Sequence, residues 1–185
     1  MTSIRIARRY AKALMATTTS VDHAEELLHD LQSMVDAQLA SPEFRAMMRS
    51  PVIQASKKKV VLQEVFGSSV KPEVLAFVEL LTDKGREGDL DSITNEYSAM
   101  VDARRNRVRV TITSAVDLDE ATRAATTQAL AANLAATVVP TWDVDASLLG
   151  GITIRVTDKV VDASLRGNLR RLRDSLASGR APSNN

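Results

Sequence analysis

The chain has 185 residues, with 24 Lys and Arg against 23 Asp and Glu, a net charge of +1 and a mean hydropathy of −0.10. This balance argues against a nucleic-acid-binding protein, because phosphate binding needs a surplus of basic residues gathered on one face. The lack of cysteine excludes a disulfide scaffold, thiolate zinc sites and a cysteine nucleophile, and no apolar run approaches the roughly 18 residues of a membrane span.

Aromatic residues make up only 3% of the chain, so the core must be built from aliphatic side chains and methionine, which suits packing of helix on helix. Through the first 105 residues, apolar side chains recur three and four positions apart, as in amphipathic helices. Ser, Pro and Gly residues divide this stretch into six predicted helices with short connections, which together predict a compact bundle. The predicted helices cover residues 4–17, about 21–39, 42–49, about 56–66, 72–84 and 89 to about 105.

The predicted fourth helix has three consecutive lysines, residues 57–59, in its first turn. Such a run is usually the solvated face of a helix start, so we expect these lysines to lie in solvent, although contact with acidic lipid or nucleic acid is an alternative. The apolar residues after them are expected to be buried: Val60, Val61, Leu62, Val65 and Phe66.

At Arg107 the apolar period changes from 3.6 to 2, which indicates a half-buried strand to about Thr113. An Ala-rich helix to about Leu134 follows, then predicted strands over 138–144 and 152–156, a turn into residues 160–161, and a last helix to about Ala177. The predicted fold class is mostly α, with a six-helix N-terminal bundle (residues 1–105), a small C-terminal α+β domain (106–178) and a polar tail (179–185).

No set of residues in the sequence is arranged for catalysis. The two histidines, His23 and His29, are six residues apart, which is off the spacing that places two ligands on one helix face. Lys84 lies beside glycines, but without the spacing of a phosphate-binding loop and after a helix rather than a strand. We therefore expect no enzyme activity, no metal and no cofactor.

Two helices have faces suited to a partner. The first predicted helix combines small residues with Tyr10 and a row of basic side chains, which fits bundle packing on one face and close approach of another helix on a second. The last predicted helix has leucines at positions 165, 169, 172 and 176 beside arginines at 166, 170 and 173. The leucines are expected to pack on the small sheet. In addition, the arginines could contact acidic groups of a partner.

Four segments together resemble the delta subunit of the bacterial rotary ATP synthase, the family of the mitochondrial oligomycin-sensitivity-conferring protein. They are ARRYAKAL at residues 7–14, LLTDKGR at 80–86, LLGGITIR at 148–155 and VVDASLR at 160–166. They occur in the family's order and spacing, and the resemblance covers residues 3–177.

The resemblance implies a non-catalytic stator subunit, one copy per complex, that sits on the catalytic head and joins it to the peripheral stalk. Its helical domain would bind the N-terminal helix of an alpha subunit, and its C-terminal domain would bind the far end of the b subunit. The head would then be prevented from turning with the rotor. The implied location is the bacterial cell membrane, peripherally and on the cytoplasmic side, without a membrane-spanning segment and without nucleic acid as a partner.

Carried over by position, the resemblance also implies binding residues. The groove for the alpha-subunit helix would lie between the first and fifth helices, with one wall formed by Ala7, Tyr10, Ala11 and Leu14 and the other by Phe77, Val78 and Leu81. For the b stalk, the last predicted helix offers Leu165, Leu169, Leu172 and Arg173.

An alternative from another class is a small RNA-binding or regulatory factor that presents a sheet. That function predicts aromatic residues on the strands for stacking on bases. The predicted strands offer only Trp142.

Overall fold

The computed structural model describes residues 4–148, 150–156 and 159–162. The described chain is mostly helical, with a small sheet toward its C-terminal end, as the sequence predicts. The helices are α1 (Ile4–Thr17), α2 (Val21–Ala40), α3 (Pro42–Arg49), α4 (Ala55–Phe66), α5 (Pro72–Asp83), α6 (Leu90–Arg104) and α7 (Glu120–Leu134). The strands are β1 (Arg107–Ser114), β2 (Thr137–Val144), β3 (Ile152–Val156) and β4 (Lys159–Asp162). One-turn 3₁₀ helices cover Glu87–Asp89 and Ala146–Leu148.

Helix boundaries follow from local capping. The Ser20 hydroxyl accepts a hydrogen bond from the His23 amide (3.0 Å), and Ser41 does the same for Phe44 (3.2 Å), so two backbone N–H groups without helical partners are satisfied. Before α7, the carboxylate of Asp119 accepts from Thr122, which lowers the pKa of Asp119. Past the end of α5, Gly85 has a φ of +63°, which glycine adopts without steric cost.

The chain divides into two compact units, the first ending at Arg105 and the second beginning at Asn106. The core of the first unit draws on all six of its α-helices. Its largest fully buried side chains come from α2, α3, α4, α5 and α6 and are Leu27, Leu31, Met34, Met48, Leu62, Val74, Val78, Leu81, Leu90, Ile93 and Tyr97. The hydroxyl of Tyr97 donates to the carbonyl of Ala24 (3.2 Å).

Helix α4 differs from the sequence-based expectation at several positions. Val60 and Val65 are 56% and 53% exposed, whereas Lys58 is only 3% exposed. The buried face of α4 is a single row four residues apart, Lys58, Leu62 and Phe66. Consecutive residues of a helix point in different directions around its axis. Because the core contacts only one side of α4, apolar residues at the other positions point away from the core. The expectation that all three lysines lie in solvent was wrong for Lys58.

The second unit is built on a four-stranded sheet in the order β2-β1-β3-β4. β1 and β2 are parallel and are connected through α7, whereas β1–β3 and β3–β4 are antiparallel. Val110, Ile112 and Val138 form its buried core, and Leu130 and Ala131 of α7 pack against it partly buried. No residue of α7 is fully buried.

The predicted last helix lies outside the described residues. Within the described part of the chain, none of the helices combines the length and the apolarity that crossing a bilayer requires.

Candidate functional site

The α1 wall of the predicted groove faces the core of the first unit. Ala7, Ala11 and Leu14 are buried there, and α1 packs mainly against α6. On that side, Arg8 Nε donates to a carboxylate oxygen of Glu96 of α6 at 2.8 Å. This hydrogen bond and the negative charge of Glu96 raise the pKa of Arg8.

Tyr10 lies at the margin between core and surface. Its ring is partly buried and packs against the first core, and the guanidinium of Arg9 lies 5.6 Å from the ring centroid. Because two residues turn a helix by about 200°, Tyr10 and Arg8 lie on opposite sides of α1. A flat, amphipathic side chain at such a margin is suited to an interface.

The α5 wall is also part of the core. Phe77, Val78 and Leu81 are buried, and α5 packs against α4 and α2. Among the described elements, α1 and α5 are not one of the closely packed pairs, although both contribute to the same core. The structure therefore brings the seven proposed groove residues into one cluster, in which all but Tyr10 are buried.

Exposed neighbours of these residues provide the accessible surface. On α1 they include Ala13, three residues after Tyr10, and on α5 they include Ala76 and Leu80, the latter 45% exposed. Apart from Tyr10, the groove residues that the resemblance implies are buried residues that face the core, in the most apolar stripe of each helix. The neighbouring stripe has the same helical period, and its residues each precede a buried residue by one position.

A buried polar cluster near the end of α5 was missed by the sequence analysis. The ammonium of Lys58 donates to the carbonyl of Met48 at 2.8 Å and to the carboxylate of Glu87. Lys58 thereby connects the last turn of α3, the first turns of α4 and the 3₁₀ helix before α6. The second carboxylate oxygen of Glu87, Oε2, is buried without a hydrogen-bond partner in the described structure. Nothing in a run of three lysines distinguishes the middle one as buried.

The proposed b-stalk residues, Leu165, Leu169, Leu172 and Arg173, lie outside the described residues. Trp142, the candidate ring of the RNA-binding alternative, is partly buried against the second core. The guanidinium of Arg123 lies 5.5 Å from its ring centroid. The position of Trp142 gives that alternative no support, because the ring already packs within its own unit.

Acidic and histidine side chains are dispersed in the described residues. No group of three or more that could hold a metal ion occurs among them. His29 is exposed, and Nε2 of His23 lies 3.9 Å from the Glu73 carboxylate, so the two histidines do not share a site.

Comparison with known proteins covers nearly the whole chain. A family model described as ATP synthase delta (OSCP) subunit matches residues 6–176. The chain is 41% identical over 170 residues to ATP synthase subunit delta of Synechococcus elongatus, covering 91% of this chain and 94% of that protein. It is 37% identical over 182 residues to the protein of the same name in Nitratidesulfovibrio vulgaris, covering 97% and 100%.

The fold also matches a solved structure. A chain of the cryo-EM structure of the Toxoplasma gondii mitochondrial ATP synthase hexamer superposes with a TM-score of 0.73 at 23% identity, covering 96% of this chain and 98% of that chain. This likeness supports the fold, and the sequence matches support the ancestry. The chain belongs to the ATP synthase delta (OSCP) subunit family.

Proposed function

We propose that this chain is a non-catalytic peripheral-stalk subunit of the rotary, proton-translocating ATP synthase. It links the catalytic head to the b stalk of the membrane sector, so that rotor torque is coupled to ATP synthesis. The observation that carries this proposal is the match of residues 6–176 to the delta (OSCP) family, together with relatives named ATP synthase subunit delta that align over almost their full length.

The division into two units supports a linking role. Each unit has its own hydrophobic core, one of helices and one of a sheet with α7. Two separately packed bodies on one chain can each present a surface to a different partner. In this proposal the helical unit binds the N-terminal helix of an alpha subunit, and the unit from Asn106 onward binds the C-terminal end of the b subunit.

For the alpha-subunit helix we propose the groove between α1 and α5. Beneath it lie the buried residues named above, Ala7, Ala11, Leu14, Phe77, Val78 and Leu81, and Tyr10 lies at its margin. Two helices that share a core without packing closely on each other are a suitable frame for a third, amphipathic helix. For the b stalk, Leu165, Leu169, Leu172 and Arg173 remain the proposed contacts.

The mechanical task sets the required affinity. A joint that slips under torque would let the proton gradient dissipate without ATP synthesis. We therefore expect nanomolar or tighter binding, about −12 kcal/mol, and an interface of at least about 1,000 Å². We propose one copy per complex, bound peripherally to the cytoplasmic side of the bacterial cell membrane.

Membranes of a strain that lacks this chain provide the test. Adding back the full-length chain should restore retention of the catalytic head and ATP-driven proton pumping. The variant Tyr10→Asp should restore neither, because it places an unpaired charge at an apolar margin, whereas Tyr10→Phe should restore both. Ala13→Trp adds bulk at an exposed position and should block binding without disturbing the core. Membranes that pump protons at the full rate without the chain would rule out the proposed role.

A further inference from the structure

The sheet of the second unit has one face that is apolar. In the register of the strands, Trp142 of β2, Ile112 of β1 and Ile154 of β3 lie in one row across it. Because side chains alternate along a strand, Thr153 and Arg155, the neighbours of Ile154, lie on the opposite face. Burial of the apolar face therefore requires a second layer of structure on one side of the sheet only.

Helix α7 covers only part of the apolar face. Among the described residues it is the only α-helix of the second unit, and it packs mainly against the edge strand β2. Its residues that pack on the core are Leu130 and Ala131. A helix is about 10 Å wide and neighbouring strands are about 4.8 Å apart, so one helix covers about two strands. The half of the face at β3 and β4 therefore has room for a second helix.

The apolar side chains of β3 are less buried than those of β1. Ile152, Ile154 and Val156 pack only partly buried against the second core. Val110 and Ile112, the register partners of Val156 and Ile154 on β1, are fully buried. β3 is an interior strand of the sheet, so its exposure is that of a face and not that of an edge.

The chain that follows β4 has a sequence suited to this half of the face. Residues 163–177 lie outside the described residues, and leucines occur among them at positions 165, 169, 172 and 176. In a helix these leucines would form one stripe about 60° wide, the leucine stripe. A helix of this length would be about 22 Å long, and a strand of the length of β3 is about 17 Å long. The leucine stripe is therefore long enough to cover β3.

The topology of the sheet brings this segment to the uncovered half. β4 runs parallel to β1, because both are antiparallel to β3. The chain leaves the end of β1, returns over the apolar face as α7 and enters β2. A helix that leaves the end of β4 in the same way would lie beside α7, over β3 and β4. The segment is also tethered to the sheet, which favours it over a separate molecule as the occupant of this surface.

We infer that residues 163–177 form a helix whose leucine stripe docks on the half of the apolar face at β3 and β4, beside α7. This inference does not rest on the proposed function, but it narrows the stalk contacts proposed above. Leucines that are buried on the sheet are not available to a partner. Of the four residues proposed to contact the b stalk, Arg173, which is on the flank of the leucine stripe, is the one that stays accessible.

Pairs of cysteines introduced into the full-length chain test the inference, and the chain has no cysteine of its own to interfere. Ile154→Cys is combined in turn with Leu165→Cys, Leu169→Cys or Leu172→Cys. At least one pair should form a disulfide within the monomer under mild oxidation, because a disulfide requires Cα atoms about 4.4–6.8 Å apart. Thr153→Cys with the same partners is the matched control, because it lies next to Ile154 but on the opposite face.

The only tryptophan of the chain provides a second measurement. Trp142 lies in the same row as Ile154, so its fluorescence reports the state of the apolar face. Leu169→Asp should shift its emission to longer wavelength and lower the denaturant concentration at the midpoint of unfolding, because it places a charge on that face. Arg171→Asp should change neither, because two residues turn a helix by about 200°.

Disulfides within the monomer that form from Ile154→Cys but not from Thr153→Cys support the inference. Disulfides from both, from neither, or only between two chains overturn it, and in the last case a second copy covers the face. Equal effects of Leu169→Asp and Arg171→Asp on the fluorescence of Trp142 would also contradict it. All these measurements use the isolated chain, so their outcome is independent of whether the chain retains the catalytic head on membranes.

Discussion

Lys58 shows at the scale of one residue how a charged side chain can be part of a core. It is 3% exposed, and its ammonium interacts with a carbonyl of α3 and with Glu87. A buried ammonium is tolerated only when its charge and its hydrogen-bond donors are satisfied. The pair therefore fixes the position of the segment between α5 and α6, and with it the end of α5.

Removing one partner of this pair should be costly. Lys58→Met leaves the Glu87 carboxylate buried without its cation, and we expect a loss of about 3–5 kcal/mol in the free energy of unfolding. The double variant Lys58→Met/Glu87→Leu should recover much of that loss, since neither charge then remains buried. Denaturant unfolding provides the measurement, with Lys57→Met as the exposed control. Equal effects of Lys57→Met and Lys58→Met would contradict the buried pair.

Because of Tyr97, the stability of the folded chain should depend on pH in the alkaline range. Burial raises the pKa of its hydroxyl to about 12, against a partly opposing effect of Arg104. In the unfolded chain this hydroxyl has its ordinary pKa of 10, so between pH 10 and 12 the folded state holds the proton more tightly. The stabilisation is complete below pH 10 and is lost as the pH rises toward 12.

Tyr97→Phe should therefore change the pH dependence of unfolding. At pH 8 the variant should be less stable by about 1 kcal/mol, because it lacks the hydrogen bond to Ala24. Above pH 10 the difference should shrink or change sign, because only the wild type loses stability through this hydroxyl. A constant difference from pH 8 to pH 11.5 would show that Tyr97 does not titrate differently in the two states.

At the scale of elements, α7 differs from the helices of the first unit. Its sequence is rich in Ala and Thr, none of its residues is buried, and it contacts mainly β2. Few apolar contacts hold it in place, so local opening should require little free energy. Leu130 and Ala131 provide most of its attachment to the core.

Hydrogen–deuterium exchange should show this difference directly. We expect the backbone amides in the middle of α7 to exchange markedly faster than those of α5 or α6 under native conditions. α6 is the internal reference, because Leu90, Ile93, Tyr97 and Val101 along its length are fully buried. Protection of α7 equal to that of α6 would mean that contacts beyond those described hold this helix.

Local signals in the sequence were sufficient for most elements. Ser41 and Pro42 set the start of α3, Gly85 marks the end of α5, and alternation from Arg107 gives β1. The mostly helical character with a small C-terminal sheet is confirmed on these grounds. The order of the strands could not be predicted in this way, because which strands pair depends on contacts between residues distant in the chain.

Side-chain burial was harder to predict than secondary structure. The valines at 60 and 65 of α4 have the hydrophobicity of core residues, and Lys58 has the character of a surface residue, yet their positions are reversed. The orientation of a helix is set by its neighbours, and only one row of α4 faces them. On α1 and α5 likewise, the most apolar stripe faces the core, and the accessible surface is the adjacent, less apolar stripe.

At the scale of the whole molecule, the first unit has what it needs to fold by itself. Every residue of its core lies between Ala7 and Val101. Beyond the core, Arg105 donates to Glu25 at 2.7 Å and pairs with Asp22, both on α2, which raises the pKa of Arg105 and fastens the end of α6. Asn106 already belongs to the second unit, where its side chain donates to the carbonyl of Ala135.

A fragment of residues 1–105 should therefore be helical and should unfold cooperatively. A shorter fragment, residues 1–89, is the matched control, because it lacks α6 and with it four buried core residues; it should not fold. Circular dichroism during thermal unfolding distinguishes the two. A broad, non-cooperative transition for residues 1–105 would mean that the helical unit depends on the remainder of the chain.

Lys57 and Lys58 are adjacent in the chain but differ in exposure, so their acylation rates can report local opening of the helical unit. An amine-acylating reagent can reach the exposed Lys57 at any time, but it can reach Lys58 only when the end of α3 and the 3₁₀ helix separate from α4. Mass spectrometry of the same peptide would then read both sites under identical conditions. The ratio of the two acylation rates would give the fraction of time for which this part of the stalk is open.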